Sequence, residues 1–446
     1  AETKIRYPGE AIAVAVGSPD AVKKLDLDKF PVRWEVLEPL ITMDEAQAQG
    51  ALLLHKNRKN NILTQGYVAR GNVQKGFKRS KYIAQSSFTT PFIEHAYIEP
   101  EAGYAVKKND RLEIYGCTQA PHMNRDSLAQ ILGLPVTSVR VVPTACGGGF
   151  GSKLDLSYHP YIALAAWKLD RPVAIIYTRQ ESMRSTTKRH PSQIEIKIGC
   201  GTDGKISALE FEGNFNTGAY ASWGPTVANR VPVHASGPYK IPNYVATSKA
   251  IHTNTPNAGA FRGFGVPQTA IALETTLSEL ASKAGFDELD FRILNCLRNG
   301  DPTVTGQSFE MGVGIKSCLE AIQPKWKEAI KNAALINGNK KNLSNRRGVG
   351  IASCWYGCGN TSMSNPSTIR VGITENSKLV LHQGATDIGQ GSNTVITQIL
   401  ADAIGASLDC IELLGADTDV TPDAGKTSAS RQTFISGSAA ALAGSE

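Results

Sequence analysis

The sequence lacks the features that mark several broad classes of protein. None of its eight cysteines forms a Cys-x-x-Cys pair, which argues against a zinc or iron–sulfur centre held by this chain alone. No apolar run approaches the length that spans a bilayer, since the run at residues 51–54 ends at His55 and Lys56. Scattered thiols without a disulfide pattern favour a cytoplasmic location, and we predict no membrane association.

Acidic residues are outnumbered, but the basic excess does not indicate a nucleic-acid-binding protein. The net charge is +7, yet the only dense basic cluster is residues 55–59, weakly extended by residues 75–81, and no aromatic residues are interleaved with it. A solvated linker explains that cluster better, so no nucleic-acid partner is predicted. A chain of 446 residues with 41% hydrophobic residues is long enough for two or three globular domains.

The order of sequence patterns predicts four segments. Residues 1–50 are expected to be the remnant of an N-terminal α+β domain, with strands at 11–16 and 32–37, because the chain starts at Ala1 without a leader. Polar residues 51–80 are expected to be a connecting arm. Two mixed α/β domains follow, at 81–333 and 348–446, separated by a polar stretch at 334–347. The second domain is expected to be incomplete, because the last helical pattern reaches the end of the chain.

Two internal patterns bear on the architecture. Residues 127–142 and 396–413 both read as a helix, a short turn and a strand, so we predict two domains of like design that face each other across a ligand. Residues 199–204 match G-x-G-x-x-G but lie between two strand patterns at an Asp-Gly turn. A β-hairpin is therefore predicted there, and a dinucleotide-binding loop is not.

A glycine-rich loop at residues 146–153 follows the apolar strand 139–142 and is the most distinctive stretch of the chain. Four glycines around Phe150 expose backbone amides, as a loop pressed against a ligand requires. The order Gly151, Ser152, Lys153 does not match a phosphate-binding P-loop. A plain turn between a strand and a helix is the alternative interpretation.

Three further loops have a composition suited to a polar ligand. In residues 260–268, Arg262 and Phe264 stand among glycines before a long helix, so the ring is expected to stand clear for stacking on a flat substrate. Residues 389–391 (Gly-Gln-Gly) precede a helix and are expected to offer free amides to a polar or anionic group, unless they only shape a helix start. Residues 427–433 are small and rich in hydroxyls.

Together these loops resemble the large molybdopterin-binding subunit of the xanthine dehydrogenase and aldehyde oxidoreductase family. Residues 146–153, 260–268, 389–391 and 427–430 stand in the family's order and at its separations, with residues 239–243 between them. The resemblance covers nearly the whole chain but only part of such a subunit. It implies an α+β protein, in which a small N-terminal remnant precedes two similar, elongated molybdopterin-binding domains, the second truncated.

The resemblance also implies a reaction and its cofactors. Members of the family hydroxylate N-heterocycles or aldehydes at a molybdenum centre held by molybdopterin, for which a cytosine dinucleotide form is an alternative, and take the oxygen from water. Electrons leave through [2Fe–2S] clusters to FAD, which are implied to lie on partner subunits or domains.

Site residues follow from the same resemblance. The backbone of Gly149, Phe150 and Gly151 is implied to lie at the metal's oxo ligand, and no protein ligand to the metal is expected. Phe264 is implied to stack on the substrate, and Arg230 to stabilise negative charge that develops on a purine ring. The other residues implied at the cofactor, of which the last two flank the metal, are Arg262, Gly389, Gln390, Gly391, Ala429 and Ser430.

The sequence departs from the family pattern at several positions. Ile93 replaces a glutamine that contacts the metal's apical oxygen, and Leu154 replaces an acidic residue of purine enzymes. Tyr356 and Cys358 stand where a second stacking phenylalanine is expected. The family's catalytic glutamate falls beyond Glu446, so this chain is expected to be inactive without a further C-terminal part. Two other acidic residues, Glu94 and Glu99, are interpreted as carboxylates on a strand face.

The sequence thus predicts the molybdopterin-binding portion of a molybdenum hydroxylase that oxidises an N-heterocycle of the xanthine or hypoxanthine type, as in purine catabolism. An aldehyde, nicotinate or a reductive reaction on an aromatic thioester are alternative substrate interpretations. A non-catalytic chain that only scaffolds its partners is an alternative of a different class. The predicted partners are an iron–sulfur subunit, an FAD subunit and a C-terminal molybdopterin-binding chain.

Overall fold

A computed structural model of the chain describes residues 4–338, 345–359 and 364–446. Within these ranges the strands are β1 (Ile62–Arg70), β2 (Tyr82–Thr90), β3 (Ala102–Lys108), β4 (Arg111–Gly116), β5 (Val139–Pro143), β6 (Val173–Ile176), β7 (Ser192–Cys200), β8 (Ile206–Asn216), β9 (Tyr244–Ile251), β10 (Ile369–Ile373), β11 (Leu379–Gln383) and β12 (Ile411–Leu414). The α-helices are α1 (Pro19–Lys23), α2 (Met43–Gln47), α3 (Val73–Arg79), α4 (Pro121–Leu132), α5 (His159–Leu169), α6 (Arg179–Ser185), α7 (Gly224–His234), α8 (Val266–Ala284), α9 (Glu288–Asn295), α10 (Ile315–Gly338), α11 (Ser392–Ile404) and α12 (Gly437–Ser445).

The largest sheet has five strands in the order β1-β9-β8-β7-β2, in which only β8 and β9 run parallel. Its strands alternate as a half-buried sheet requires: Ile194, Ile196 and Ile198 of β7 point into the core, and Glu195 points to solvent. Helix α8 covers the buried face with leucines such as Leu277. The β7–β8 connection is the hairpin predicted from the Asp-Gly turn, so the dinucleotide-binding alternative is excluded.

A second sheet has the order β5-β4-β3-β6, with β4 and β5 parallel. Helices α4 and α5 pack on it through a core that includes Ile114, Leu128, Val141 and Ile162. Gly133 ends α4 in the left-handed conformation, with φ of 66°. This sheet positions the glycine-rich loop, which begins where β5 ends.

The third sheet has the order β10-β11-β12, with β11 and β12 parallel. Its core contains Leu381, Ile396, Leu400 and Ala440 from the sheet and from helices α11 and α12. The series β3, β4, α4, β5 and the series β10, β11, α11, β12 have the same order and the same strand directions. The predicted repeat is therefore real, and we call these series the first repeat and the second repeat.

The two repeats are joined by polar contacts at the ends of β5 and β12. The guanidinium of Arg140 donates to both carboxylate oxygens of Asp417, at 3.0 and 2.6 Å. Beside it, the Val141 amide donates to Thr418 Oγ1 at 2.9 Å, and the Thr418 amide returns a bond to the Val141 carbonyl. A two-pronged arginine–carboxylate pair of this kind fixes orientation as well as distance.

The structure corrects three expectations. Residues 11–16 and 32–37 are not strands: no described residue pairs with them, and Val14 and Trp34 are exposed. Alternating apolar residues form a strand only where a neighbouring strand accepts their backbone hydrogen bonds.

The expected arm at 51–80 contains β1, which pairs with β9, and α3. Helix α10 extends to residue 338 and so occupies the start of the predicted boundary at 334–347, whose residues 339–344 lie outside the described part of the chain. Across the described ranges, every helix is too short or too polar to cross a bilayer.

Candidate functional site

The parallel strand pairs β4/β5 and β11/β12 end at a common border, where ligands of open α/β sheets usually bind. Four loops follow these strand ends, at residues 117–120, 144–151, 384–391 and 415–431. The last three of these loops border a cavity of about 650 Å³. Its lining comes from both repeats and includes Thr144, Cys146, Thr386, Asp387, Gly389 and Asn393.

The glycine-rich loop is held by Gln119, a residue that the sequence analysis did not single out. Gln119 is buried. Its side-chain Oε1 accepts the Gly151 amide at 3.0 Å, and its backbone amide donates to the Lys153 carbonyl. Phe150, between these contacts, has a left-handed φ of 53° and a ring that is 43% exposed. A non-glycine residue in this conformation is held there by its surroundings, as is common at functional sites.

The glycines of this loop are required for a reason that the sequence did not show. A Cβ at Gly147 would lie 2.6 Å from Glu99 Cβ, one at Gly149 would lie 2.5 Å from Gln119 Oε1, and one at Gly151 would meet the Ala260 carbonyl. The close approach therefore comes from the protein beneath the loop. We expected the side chains to be absent so that a ligand could approach, but packing alone already requires their absence.

A buried ion pair supports the loop from the same side. Lys153 Nζ lies 2.7 Å from Glu99 Oε2 and 4.6 Å from the centre of the Tyr97 ring, and Glu99 Oε2 also accepts the Gly147 amide at 2.8 Å. Glu99 is thus engaged by the loop, but neither Glu99 nor Glu94 lies on a strand, so the expected position on a strand face was wrong. Glu94 is likewise paired, with Lys188 at 2.7 Å.

Arg262 and Phe264 lie next to this loop but face different surroundings. The Arg262 amide donates to the Phe150 carbonyl at 2.9 Å, and its side chain is exposed. Phe264 has a left-handed φ of 47° but is only 5% exposed, packed with Leu154, Val227 and their neighbours. The expectation that its ring stands clear of the protein was therefore wrong, because the strained backbone turns the ring inward.

Arg230 is buried and lies against aromatic rings. Its guanidinium carbon is 5.4 Å from the centre of the Phe264 ring and 4.8 Å from that of Tyr356. It donates to the Tyr356 hydroxyl and, at 2.9 Å, to the Gly359 carbonyl. Burial lowers the pKa of this guanidinium below its ordinary value. Tyr356, in the stretch expected to carry a second stacking phenylalanine, thus contacts the same guanidinium as Phe264.

The loop after β12 reaches both groups of residues. Its Thr427 carbonyl accepts from Gln119 Nε2 at 2.7 Å, and Thr427 Oγ1 donates to the Thr386 carbonyl. Further along, the Ala429 carbonyl accepts the Gly359 amide at 2.7 Å, and both Ala429 and Ser430 have a φ of 55°. Hydrogen bonds made by this one loop therefore link it to the cavity, to the residue that holds the glycine-rich loop and to the segment that contacts Arg230.

In the segment Gly389, Gln390, Gly391, the first residue lines the cavity, but the amides of both glycines are already bonded. The carboxylate of Asp387 accepts from the amides of Gly389, Gly391 and Asn393, at 2.9 to 3.3 Å. The side chain of Gln390 folds back on Thr386 and Ser392. The expectation of free amides at this helix start was wrong, because an acidic residue two positions earlier satisfies them.

The lining of the cavity fits a flat polar group such as molybdopterin. The buried hydroxyl of Thr386, which lines the cavity, has no partner among the described residues, and the same holds for Ser428 on the loop after β12. A Cβ added at Gly389 or Gly391 would meet nothing within 4 Å, so these glycines leave open space. Unpartnered buried hydroxyls beside open space indicate a missing polar ligand.

The departures from the family pattern have structural consequences. Ile93 is 44% exposed and forms an isolated β-bridge with Arg189. No side-chain amide is therefore present at this position. Leu154 is fully buried beneath Phe264. Cys358 Sγ lies 2.9 Å from the Ser430 carbonyl and therefore belongs to the wall of the site.

Several structurally important residues were missed in the sequence. Gln119 and Asp387 each stand just after a strand that precedes a helix, and that position was the available signal. The contact of Arg140 with Asp417 spans 277 positions of sequence and carries no local signal.

Family models match most of the chain. Residues 54–296 match a molybdopterin cofactor-binding domain, and residues 320–446 match a second model with the same description.

Individual relatives agree with this match. The nicotinate dehydrogenase large molybdopterin subunit of Eubacterium barkeri is 38% identical over 74% of this chain and 77% of that protein. The xanthine dehydrogenase molybdenum-binding subunit of Escherichia coli is 32% identical over 97% of this chain but 57% of that protein, so the chain spans little more than half the length of such relatives. Among solved structures, the aldehyde oxidoreductase of Desulfovibrio gigas has a TM-score of 0.86 and 26% identity, over 92% of this chain and 45% of that one.

Proposed function

This chain belongs to the molybdopterin-binding subunits of the xanthine dehydrogenase and aldehyde oxidoreductase family, and we propose that it carries the cofactor and part of the substrate site of a molybdenum hydroxylase that oxidises an N-heterocycle. Bound molybdopterin supplies the redox chemistry, with water as the source of oxygen. The chain's own residues bind the cofactor, orient the substrate and stabilise charge on it.

The roles proposed for individual residues follow the geometry. The loop at Gly149, Phe150 and Gly151 is proposed to present backbone to the metal centre, with Arg262, whose amide donates to the Phe150 carbonyl, beside it. Gly389 lines the cavity proposed for the pterin, and Gln390 and Gly391, which follow it, are proposed to bind the pterin with it. Ala429 and Ser430 lie on the loop that joins the two groups of residues.

The observation that carries the heterocycle proposal is the position of Arg230. A guanidinium buried between Phe264 and Tyr356 is held next to flat apolar surfaces, where it interacts strongly with charge because water is excluded. Hydride loss from a ring carbon drives negative charge onto the heterocycle, and an arginine at this place stabilises that charge. An aldehyde carbonyl needs less of this assistance.

Two classes of heterocycle are candidates for the substrate. The relatives named xanthine dehydrogenase favour a purine of the xanthine or hypoxanthine type. The relative named nicotinate dehydrogenase has a higher identity and favours a pyridine carboxylate. The relative named aldehyde oxidoreductase has 26% identity, so an aldehyde is the weaker candidate.

Partner chains are part of the proposal. We propose that an iron–sulfur subunit and an FAD subunit carry electrons away, and that a further C-terminal molybdopterin-binding chain or segment supplies the catalytic glutamate. A scaffold that binds no cofactor is the alternative. Stoichiometric molybdenum in the chain after co-expression with these partners supports the enzyme, whereas its absence under cofactor-replete conditions contradicts it.

Arg230→Ala tests the substrate part of the proposal in the assembled complex. Losing a buried charge that acts on the transition state is expected to lower kcat/KM for an N-heterocycle by on the order of 100-fold, and for an aldehyde by much less. Arg346→Ala, an exposed arginine away from the site, is the matched control. Equal losses on both substrates in Arg230→Ala would remove the argument for a heterocycle.

A further inference from the structure

Lys426 differs from the other partly or fully buried lysines near the site. Its ammonium lies 4.8 Å from the centre of the Trp223 ring, and no described residue gives it an ion pair or a hydrogen bond. Lys153 and Lys188 each have a glutamate oxygen at 2.7 Å. A half-buried ammonium without an anion is unfavourable, because burial removes water without replacing it.

The charges around Lys426 make its position more unfavourable still. Burial lowers the pKa of Lys426, and the positive charges of Arg431 and Arg230 lower it further. Among the described residues, the acid that opposes them is Asp423, whose side chain is 63% exposed. Three cations therefore converge with little negative charge from the described residues to balance them.

The hydrogen bonds of the two arginines do not supply that balance. Arg431 donates to backbone carbonyls, including those of Ala424 and Pro366. Arg230 donates to the Tyr356 hydroxyl and a carbonyl, while its buried Nε has no acceptor among the described residues. Neutral acceptors satisfy part of each guanidinium and leave the positive charge uncompensated, so an anion from outside the chain suits this cluster.

Aromatic rings surround the same cluster. Trp223 and Phe264 meet edge to face with ring centres 6.4 Å apart, and Arg230 lies within 5.4 Å of the Phe264 and Tyr356 ring centres. Trp223 and Tyr356 are partly exposed, so they can contact a flat aromatic body while the buried Phe264 packs against Trp223, and the cations nearby bind a negative substituent on that body.

We propose that Lys426, together with Arg230, binds a carboxylate of the substrate, and that the substrate is an aromatic N-heterocycle that carries a carboxylate group. The inference rests on the proposed function for the identity of the reaction site. It narrows the substrate to anionic heterocycles and assigns Lys426 as a residue that determines specificity.

The test compares an acid with its neutral amide in the assembled complex. We expect nicotinate to bind with a lower Kd than nicotinamide, as measured by calorimetry. In Lys426→Met the Kd for nicotinate should rise by about 10-fold, the usual order for losing one charge-assisted contact, and the Kd for nicotinamide should stay within about twofold. Lys426→Arg should retain most of the preference, and Lys331→Met, at an exposed lysine of α10, should behave as wild type.

Molybdenum and phosphate contents of the same samples separate the possible explanations. Normal contents in Lys426→Met together with a lost preference for nicotinate support the proposal. A fall in both contents would mean that Lys426 binds the cofactor's phosphate, which overturns it. Equal affinity of the wild type for the acid and the amide also overturns it, without touching the proposed function. A preference for nicotinate in a preparation that never takes up molybdenum would keep this proposal and contradict the proposed function.

Discussion

The first and second repeats share one topology but hold their loops by different means. In the first repeat, Gln119, Glu99 and Lys153 fix the glycine-rich loop from beneath through interactions that are largely buried. In the second repeat, the loop at 387–391 is closed by its own Asp387, in a half-exposed position. The comparison indicates that buried contacts fix the loop of the first repeat, whereas the loop of the second repeat is held less rigidly.

Their surroundings differ in the same sense. The first repeat lies beside the large five-stranded sheet and its core, whereas the second has a small core of its own. Contacts such as that of Arg140 with Asp417 therefore contribute much of what orients the second repeat.

The largest expected effect comes from removing the side-chain hydrogen bonds that Gln119 makes to the two loops. Gln119→Leu keeps the volume of the side chain but leaves the Gly151 amide and the Thr427 carbonyl without partners. Two buried polar groups left unpaired should lower the free energy of unfolding by about 2–5 kcal/mol, and molybdenum content should fall. Urea unfolding and metal analysis measure the two effects. Gln130→Leu, at an exposed position of α4, is the control, and equal behaviour of both variants would refute the role of Gln119.

Acid should weaken the first repeat and the segments packed around it, including α5, before it weakens the second repeat. Burial lowers the pKa of His159 to about 3, and His95 and His190 behave alike. The unfolded value is about 6.5, so stability from the neutral rings is complete above pH 6.5 and is lost as pH falls from 6.5 towards 3. Each such histidine lowers the free energy of unfolding by up to about 1.4 kcal/mol per pH unit over that interval.

Hydrogen exchange at pH 7 and pH 5 resolves this difference by region. Amides of α5 should lose protection at pH 5 more than those of α11, since the second repeat contains only the part-exposed His382. His159→Leu should reduce the loss in α5, and His382→Leu should leave it unchanged. A uniform loss across both repeats would break the comparison.

The smallest effect is expected in the loop of the second repeat. Asp387→Ala releases the amides of Gly389, Gly391 and Asn393, but water can reach this half-exposed loop and replace the carboxylate. The cost should be about 1 kcal/mol or less, as for the loss of a capping residue. Thermal unfolding beside Asp402→Ala, a surface position on α11, measures it. A loss as large as that of Gln119→Leu would show that both loops are fixed equally.

Much of the fold could be predicted from sequence because its strands are regular. Alternation in residues 193–199, the hairpin at 199–204 and the end of α4 at Gly133 are local patterns, and the structure confirms them. The predicted repeat also depended on local order and is confirmed. Residues 11–16 have an equally good strand pattern and form none, since the pattern does not reveal whether a neighbouring strand is available.

The sequence could predict which loops belong to the site, but it could not predict how their residues are buried and hydrogen-bonded. Glycines and small residues marked the loops, but nothing local showed that Phe264 would be buried or that Asp387 would occupy the amides of Gly389 and Gly391. Gln119 contacts Thr427 across 308 positions of sequence, and such a pairing is decided by how the repeats pack.

The glycine-rich loop has a consequence for how the complete enzyme is built. The contacts that set the backbone around Phe150 come from Gln119 and Arg262, and all three residues precede the second repeat in the chain. Most of the loop's shape is therefore set within the first part of the chain, and the second repeat completes it through the bond between Gln119 and Thr427. Correct packing of the second repeat thus bears directly on the loop that the cofactor is proposed to contact.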